Sequence, residues 1–168
     1  MPKLHLKRVD INMGAAEYKM YQEIPDDEQG IKNEANGIEL PYFKKYLKKQ
    51  ADRKSAILTD KQTPTLVYIC YLGNYPVGDI SIRTKLNQYW RDHSGNISFK
   101  IRPSVRNKGY GRQMLGLALD KCKKLGMSEV LLQCNNKNTP AKRVIENNGG
   151  VLLNDDGKSL FYKISIIK

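Results

Sequence analysis

The chain has few of the residues from which disulfide frameworks and metal sites are built. Its 168 residues include three cysteines, Cys70, Cys122 and Cys134, and two histidines, His5 and His93. An odd set of cysteines without C-x-x-C spacing predicts neither a disulfide framework nor a thiolate metal site, and it favours a reducing cytoplasm. Neither histidine has a partner at the spacing of metal ligands, so we expect no metal.

Long apolar stretches are missing as well. No run of eighteen apolar residues occurs, so the chain is not expected to span a membrane. The opening MPKLHLKRVD lacks the apolar segment of a signal peptide. No repeat, low-complexity tract or linker divides the sequence. Because 40% of its residues are hydrophobic, we expect one domain with a real core over residues 1–168.

Positive charge is what the chain has in excess. It carries 29 lysines and arginines against 17 aspartates and glutamates, and this formal net charge of +12 is spread along the whole chain. Such a field attracts anions, among them nucleic acid, an anionic membrane and a phosphorylated small molecule. A charged surface without a specific partner explains the same numbers, so the charge alone decides nothing.

The pattern of apolar residues predicts an alternating α/β chain. Strands are expected at KLHLKRVD, TLVYICYLGNYPVGDISIR (a hairpin), NISFKIRP, SEVLLQC and, as a terminal hairpin, VLLN with KSLFYKISII. Helices are expected at residues 12–22, from Leu40, after Gly111 and from Thr139 to Gly149, and IPDDEQGIKNEANG is expected to be a polar connection. The helix after Gly111 has one apolar stripe, formed by Leu115, Ala118, Leu119, Cys122 and Leu125. The element order is β-α-α-β-β-β-α-β-α-β-β, which predicts an α/β fold with a mixed sheet.

The stretch VRNKGYG, residues 105–111, joins a basic segment to two glycines and then to a strongly amphipathic helix. The first N–H groups of a helix lack partners within it, and glycine lets the backbone approach a ligand closely. The stretch therefore favours a phosphate-binding loop, with full charges from Arg106, Lys108 and Arg112 nearby. Taken alone, R-x-x-G-x-G is equally typical of a glycine turn that caps a helix.

Two longer stretches, NISFKIRPSVRNKGYGRQMLGLALDKCKKLG and VLLQCNNKNTPAKRVIENNGG, resemble the GNAT superfamily of N-acetyltransferases over residues 96–151. They match its strand, R-x-x-G-x-G loop, helix, strand and asparagine-led helix. The resemblance implies one acetyltransferase domain with a mainly antiparallel central sheet flanked by helices. It also implies an enzyme that uses acetyl-CoA. The stretch VGDISIRTKLN is similar to a subgroup of predicted bacterial acetyltransferases with an I-R-x-x-L-N stretch.

The same resemblance implies which residues hold acetyl-CoA. Backbone groups of Phe99, Lys100 and Ile101 would pair with the pantetheine arm as an added strand, and Asn138 matches the family's cofactor-contacting asparagine. The diphosphate would be held by the loop residues Arg106, Asn107, Lys108, Gly109, Tyr110, Gly111 and Arg112. Each has a plainer interpretation, since Phe99 and Ile101 also suit a simple strand and Asn138 suits a helix cap.

The family's usual acid and base are missing from this chain. The position of its tyrosine, seven residues after the asparagine, is Ile145, and that of its glutamate, five residues before it, is Gln133. The catalytic residues therefore stay open. Weak candidates for proton transfer are Asp79 in the hairpin, His93 on a loop before the cofactor strand, and Tyr162 in the last strand. Surface or packing roles are the more usual explanation for all three.

Arg83 and Asn87, in the I-R-x-x-L-N stretch, are the candidate acceptor-binding residues. An arginine there would suit an acceptor that bears a carboxylate. We expect acetyl transfer to a primary amine of a small-molecule or amino-acid-like acceptor, in the cytoplasm and without a membrane partner. The alternatives are a protein that binds acetyl-CoA without turnover and, less favoured, a basic nucleic-acid-binding module. Whether the chain forms a homodimer stays open.

Overall fold

A seven-stranded sheet organises the chain, and the computed structural model describes residues 2–166. In chain order the strands are β1 (Leu4–Arg8), β2 (Asp27–Glu28), β3 (Ile31–Lys32), β4 (Thr65–Leu72), β5 (Tyr75–Arg83), β6 (Ile97–Ile101), β7 (Glu129–Asn135), β8 (Val151–Asp155) and β9 (Ser159–Ser165). The helices are α1 (Ala15–Glu23), α2 (Phe43–Asp52), α3 (Gln88–His93), α4 (Tyr110–Lys124) and α5 (Thr139–Asn147). The sheet order is β1-β4-β5-β6-β7-β9-β8, and β2 with β3 forms a separate small hairpin.

The junction between β6 and β7 differs from the other junctions in the sheet. The neighbouring strands are antiparallel except β6 and β7, which are parallel and pair only at Ile97 and Leu132. Beyond that pair each strand keeps only its outer partner, β5 for β6 and β9 for β7. The sheet is therefore split between β6 and β7, and the facing edges of both strands are left without a ladder.

Each face of the sheet carries its own hydrophobic cluster. On one face Ile80 and Ile82 of β5 pack with Leu115 and Cys122 of α4, which belong to the predicted helical stripe. On the other face Val67 and Ile69 of β4 pack with residues of α1 and α2. Because side chains alternate along a strand, β4 and β5 contribute to both faces. No helix in the described part of the chain has the length and apolar content needed to cross a bilayer.

The predicted fold class, an α/β fold with a mixed, mainly antiparallel sheet flanked by helices, is confirmed. Three local expectations were wrong. The second helix begins at Phe43 rather than Leu40, because residues 40–42 form a 3-10 turn around Pro41. His93 lies at the end of helix α3 rather than on a loop, and the polar connection after α1 contains β2 and β3. These elements are too short to show a period in the sequence.

Candidate active site

A cavity of about 920 Å³ opens where β6 and β7 diverge. The split itself is lined by Ser98, Phe99 and Lys100 of β6 and by Gln133, Cys134 and Asn135 of β7. The wall under α2 is lined by Asp79, Ser81 and Arg83 of β5 and by Tyr46 and Gln50 of α2. The cavity therefore joins the open edge of β6 to a polar surface on the α1 and α2 side of the sheet.

The polar surface follows from the alternation of side chains along β5. Asp79, Ser81 and Arg83 point to the α1 and α2 side, whereas Ile80 and Ile82 belong to the cluster under α4. On β6 the register partners of Asp79 and Ser81 are Lys100 and Ser98. One strand thus builds the core with one set of residues and the cavity wall with the other.

Asp79 is held in the cavity wall by two partners. One carboxylate oxygen accepts a hydrogen bond from the Tyr21 hydroxyl at 2.8 Å, and the other lies 3.0 Å from Nζ of Lys100. The Asp79 side chain is 7% exposed and that of Lys100 17%. The pair is therefore nearly buried, and the orientation of the carboxylate is fixed from two sides.

Two tyrosines lie behind and beside this carboxylate. Burial, and then the negative charge of Asp79, raise the pKa of both Tyr21 and Tyr46. Their rings meet edge to face with centroids 5.5 Å apart. Both phenols therefore stay protonated at neutral pH, and that of Tyr21 donates to Asp79.

Arg83 ends β5 in the same wall. Its guanidinium donates to the carbonyl of Gly95 at 3.1 Å and to Oγ of Ser98 at 2.9 Å, and it stacks 5.4 Å from the centroid of the Trp90 ring. Asn87, the other predicted acceptor residue, lies outside the cavity lining. Its Oδ1 accepts from the Trp90 N–H at 3.1 Å, so it caps α3, and its Nδ2 donates to Asp60.

The structure separates the remaining candidates for proton transfer. His93 lines the cavity, is exposed and stacks on Tyr89 at 4.1 Å between centroids. Its Nδ1 donates to the Tyr89 carbonyl at 2.7 Å. Tyr162 is buried outside the cavity lining, and its hydroxyl donates to Glu146 at 2.8 Å. Only Asp79 and His93 therefore face the cavity.

The loop between β6 and α4 presents a row of free backbone donors. In the described part of the chain the N–H groups of residues 107–112 have no acceptor, and the first helical bond runs from Gln113 to the Gly109 carbonyl at 3.2 Å. Gly109 has a φ of 81°, a left-handed conformation that glycine adopts without strain. A Cβ at Gly111 would lie 3.2 Å from Cγ2 of Val144, so α4 and α5 approach closely at this point.

Arg106 is engaged differently from the residues that follow it. Its N–H donates to the Pro103 carbonyl at 3.3 Å, and its guanidinium donates to the two carboxylate oxygens of Glu28 at 2.8 and 2.6 Å. The guanidinium also bonds to the Ile101 carbonyl. The charge of Arg106 is therefore balanced by Glu28, and the row of free donors begins at Asn107. Lys108 and Arg112 beside it are exposed.

On the β7 side the cavity is bounded by the start of α5. Asn138 caps this helix, since its Oδ1 accepts from the Ala141 N–H at 3.2 Å, while its Nδ2 has no acceptor in the described part of the chain. Ile145 and Gln133, the positions of the family's tyrosine and glutamate, both line the cavity. Ile145 is buried and apolar, and Gln133 donates to Ser159 at 2.8 Å. Neither side chain titrates.

Several cavity residues had not been singled out from the sequence, among them Ser81, Ser98, Tyr46 and Arg53. One signal for them was present in α2. Phe43 and Leu47 begin a buried stripe, and the next position in that stripe is the polar Gln50, which is 6% exposed. A polar residue that continues an apolar stripe indicates a helix facing a polar cavity rather than a core.

The family of the chain is shown by a family model. The model of the acetyltransferase (GNAT) family matches residues 20–149, which is more than half of the chain. The chain therefore belongs to this family, and the predicted family, the enzyme class and acetyl-CoA as cofactor are confirmed. No curated protein sequence matches the chain.

Solved structures share the fold at low sequence identity. A Salmonella typhimurium acetyltransferase that modifies the N-terminal serine of a 50S ribosomal subunit protein is 15% identical, with a TM-score of 0.65 over 98% of this chain and 95% of that chain. The putative acetyltransferase YncA of Salmonella typhimurium, solved with acetyl-CoA, is 12% identical, with a TM-score of 0.65 and the same coverage. A chimera of the Vibrio cholerae spermidine N-acetyltransferase SpeG and hSSAT is 15% identical, with a TM-score of 0.65 over 97% and 95%.

Proposed function

We propose that the protein transfers the acetyl group of acetyl-CoA to a primary amine of a small-molecule or amino-acid-like acceptor. The observation that carries this proposal is the split between β6 and β7, which opens into one cavity with two unlike walls. One wall offers free backbone groups to a cofactor. The other wall, on the α1 and α2 side, offers a carboxylate and an arginine to an acceptor.

The residues present fit acetyl-CoA. The free N–H groups of residues 107–112, at the start of α4, are donors for the diphosphate, and the helix dipole adds partial positive charge there. At the unladdered edge of β6 the backbone groups of Phe99 and the N–H of Ile101 face the split and are offered to the pantetheine arm. The backbone of Lys100 faces β5, and the Ile101 carbonyl accepts from Arg106. The free Nδ2 of Asn138 adds a donor from the opposite side of the split. When bound, acetyl-CoA supplies the acetyl group as an activated thioester.

Asp79 is our proposed proton acceptor for the amine. An alkylamine with a pKa near ~10.4 is mostly protonated at neutral pH, so a group in the cavity must take its proton. The Asp79 carboxylate faces the cavity, and Tyr21 and Lys100 hold it in one orientation. An acceptor nitrogen bound against this carboxylate would lie beside the group that deprotonates it.

Alignment of the two reactants is the second contribution to the rate that we propose for this site. The family's tyrosine and glutamate positions hold Ile145 and Gln133, so the cavity lacks those groups. Orientation of two reactants in one cavity can contribute on the order of 7–11 kcal/mol to a transfer reaction without any acid or base. We therefore propose a site that relies on alignment along β6 and on Asp79.

The cofactor assignment is tested by calorimetry with coenzyme A at low ionic strength. We expect saturable binding that weakens as salt is added, because the loop and the surface around it are positively charged. Gly111→Val should weaken binding strongly, while Gly116→Ala, later in α4, should leave it unchanged. Absence of binding, or equal affinity of the two variants at matched folding, would contradict the assignment.

The reaction is tested by release of the coenzyme A thiol in the presence of an acceptor panel. The panel includes free amino acids, aminoglycosides, peptide N-termini and polyamines, because the similar structures include a ribosomal-protein acetyltransferase and a spermidine acetyltransferase. We expect thiol release that depends on one class of amine. Binding of coenzyme A without thiol release above the buffer rate for every amine would favour a non-catalytic cofactor-binding protein.

A further inference from the structure

Two arginines line the acceptor half of the cavity. Arg53 follows α2, and Arg83 ends β5. Neither guanidinium forms an ion pair within residues 2–166. Arg53 donates to the neutral Gln50 side chain at 2.8 Å, and the partners of Arg83 are a backbone carbonyl and a hydroxyl. The carboxylates in the same lining, Glu34 and Asp79, are paired with Lys49 and Lys100, so neither guanidinium has a counter-charge in contact.

Burial makes this missing counter-charge significant. Arg83 is 8% exposed, and charges buried to this degree are normally paired. Burial, and then the positive charge of Arg53, lower the pKa of Arg83 to about 10. Arg83 is therefore still charged at neutral pH, and its guanidinium and that of Arg53 repel each other. An anion between them would remove that repulsion.

A second groove of about 550 Å³ continues the positive surface outward from this point. It shares Lys49, Arg53 and Lys61 with the cavity and adds Lys45 and Lys48. Lys48 and Lys49 are paired with carboxylates on neighbouring residues, at 2.7 and 3.4 Å. Lys45 and Lys61 have no such partner in the described part of the chain, so the entrance to the cavity is positive as well.

We propose that Arg53 and Arg83 form an anion subsite for the acceptor, whose amine is therefore carried by a molecule with a phosphate or carboxylate group. This inference rests on the proposed acetyl transfer. The diphosphate of acetyl-CoA is assigned to the loop before α4, so the anion at the arginines belongs to the acceptor. Guanidinium groups bind both anions with two parallel hydrogen bonds. A polyamine, which carries only positive charge, is disfavoured at this site.

Trp90 allows the subsite to be tested without any transfer reaction. It is the single tryptophan of the chain, and its ring centroid lies 5.4 Å from the guanidinium carbon of Arg83. Titration with inorganic phosphate, and separately with acetate, should give a saturable change in its fluorescence. Arg53→Gln should weaken phosphate binding about tenfold or more, because a charge-assisted contact is lost. Lys54→Gln removes the same charge from a neighbour that lines neither cavity nor groove, and should have no effect.

The outcomes of this titration are decisive in both directions. A saturable response that Arg53→Gln weakens and Lys54→Gln does not, with equal unfolding midpoints, supports the subsite. No saturable response, or equal effects of the two substitutions, overturns it. Loss of the response in protein saturated with coenzyme A also overturns it, because the anion would then belong to the cofactor.

The acceptor class is tested with ethanolamine, β-alanine and phosphoethanolamine, which present a similar amine with no anion, a carboxylate or a phosphate. We expect kcat/KM to be at least about tenfold higher for an anionic compound, and Arg53→Gln to remove the preference. The better of the two anionic compounds identifies the group. Equal rates for all three would overturn the subsite and leave acetyl transfer intact. If no amine reacts and coenzyme A does not bind, acetyl transfer fails, and the fluorescence titration still decides on anion binding.

Discussion

Replacement of Asp79 by asparagine tests the proposed proton acceptor, because it removes the charge and keeps the shape. At about pH 7.4 an amine with a pKa of ~10.4 is neutral in about one molecule in a thousand. A base that makes the whole amine population reactive can raise the rate at most about a thousandfold, which corresponds to ~4 kcal/mol. This value lies within the range usual for general bases. We therefore expect Asp79→Asn to lower kcat/KM by about 10²–10³-fold at this pH.

The pH profile separates a base from a structural carboxylate. In Asp79→Asn only acceptor that is already neutral in solution can react, and that fraction rises about tenfold per pH unit. The deficit against the wild type should shrink by the same factor between about pH 7 and about pH 10. Initial rates of thiol release, measured with a fixed acceptor across this range, give the profile. A deficit that stays constant with pH, or one below about tenfold, would refute the role of Asp79 as base.

Two further variants control for damage to the fold. Asp79→Asn leaves Lys100 without its partner, and breaking a buried pair costs about 3–5 kcal/mol, so unfolding must be measured alongside activity. Lys100→Met combined with Asp79→Asn removes both charges and should recover stability without recovering the rate. Tyr21→Phe loses the 2.8 Å hydrogen bond to the carboxylate but keeps the carboxylate, so its profile should keep the wild-type shape.

Three smaller predictions concern the surroundings of the site. Gly109→Ala should lower the free energy of unfolding by about 1–2 kcal/mol, measured by denaturant titration, because the residue has a φ of 81°. The hydrogen bonds from Arg106 lower the pKa of Glu28. Their contribution to the free energy of unfolding is therefore present above the unfolded pKa of about 4.3 and is lost as the pH falls below that value. Between neutral pH and this acidic range, the midpoint of thermal unfolding should drop less in Glu28→Gln than in the wild type. Tyr162→Phe should leave kcat unchanged, because its hydroxyl is bonded to Glu146 outside the cavity; a large loss would restore Tyr162 as a candidate acid.

The long elements were predictable because their residues repeat with a period. The predicted stripe of α4, Leu115, Ala118, Leu119, Cys122 and Leu125, shows a helical period in the sequence. Leu115, Ala118 and Cys122 are buried and Leu119 is half-buried, whereas Leu125, just past the end of the helix, is exposed. Helix α3 has six residues and the β2–β3 hairpin has two on each strand, which is too little for a period to appear. Their positions are set by contacts such as the Asn87 cap and the ion pair between Glu28 and Arg106, which sequence patterns do not contain.

The two halves of the proposed site also differ in how far they could be predicted from the sequence. The proposed cofactor loop is one continuous stretch that combines glycines with basic residues, so residues 106–112 were predicted together. The acceptor wall combines single residues from distant segments, among them Tyr46, Arg53 and Asp79. Such residues come together only when the pairing of β5 with β6 and the placement of α2 are known. Arg83 was predicted from its local stretch, but its relation to Arg53 was not.

The core and the acceptor wall depend on the same register of β5. A shift of β5 by one residue would turn Asp79 and Arg83 toward the apolar cluster under α4 and turn Ile80 and Ile82 into the cavity, since side chains alternate along a strand. Burying those two charges among apolar side chains would be far more costly than any change in hydrogen bonding. At the end of this register a Cβ on Gly78 would lie 2.4 Å from the Lys100 carbonyl, so a side chain there would push β5 away from β6. The packing that stabilises the sheet therefore also fixes the distance between Asp79, the proposed base, and strand β6.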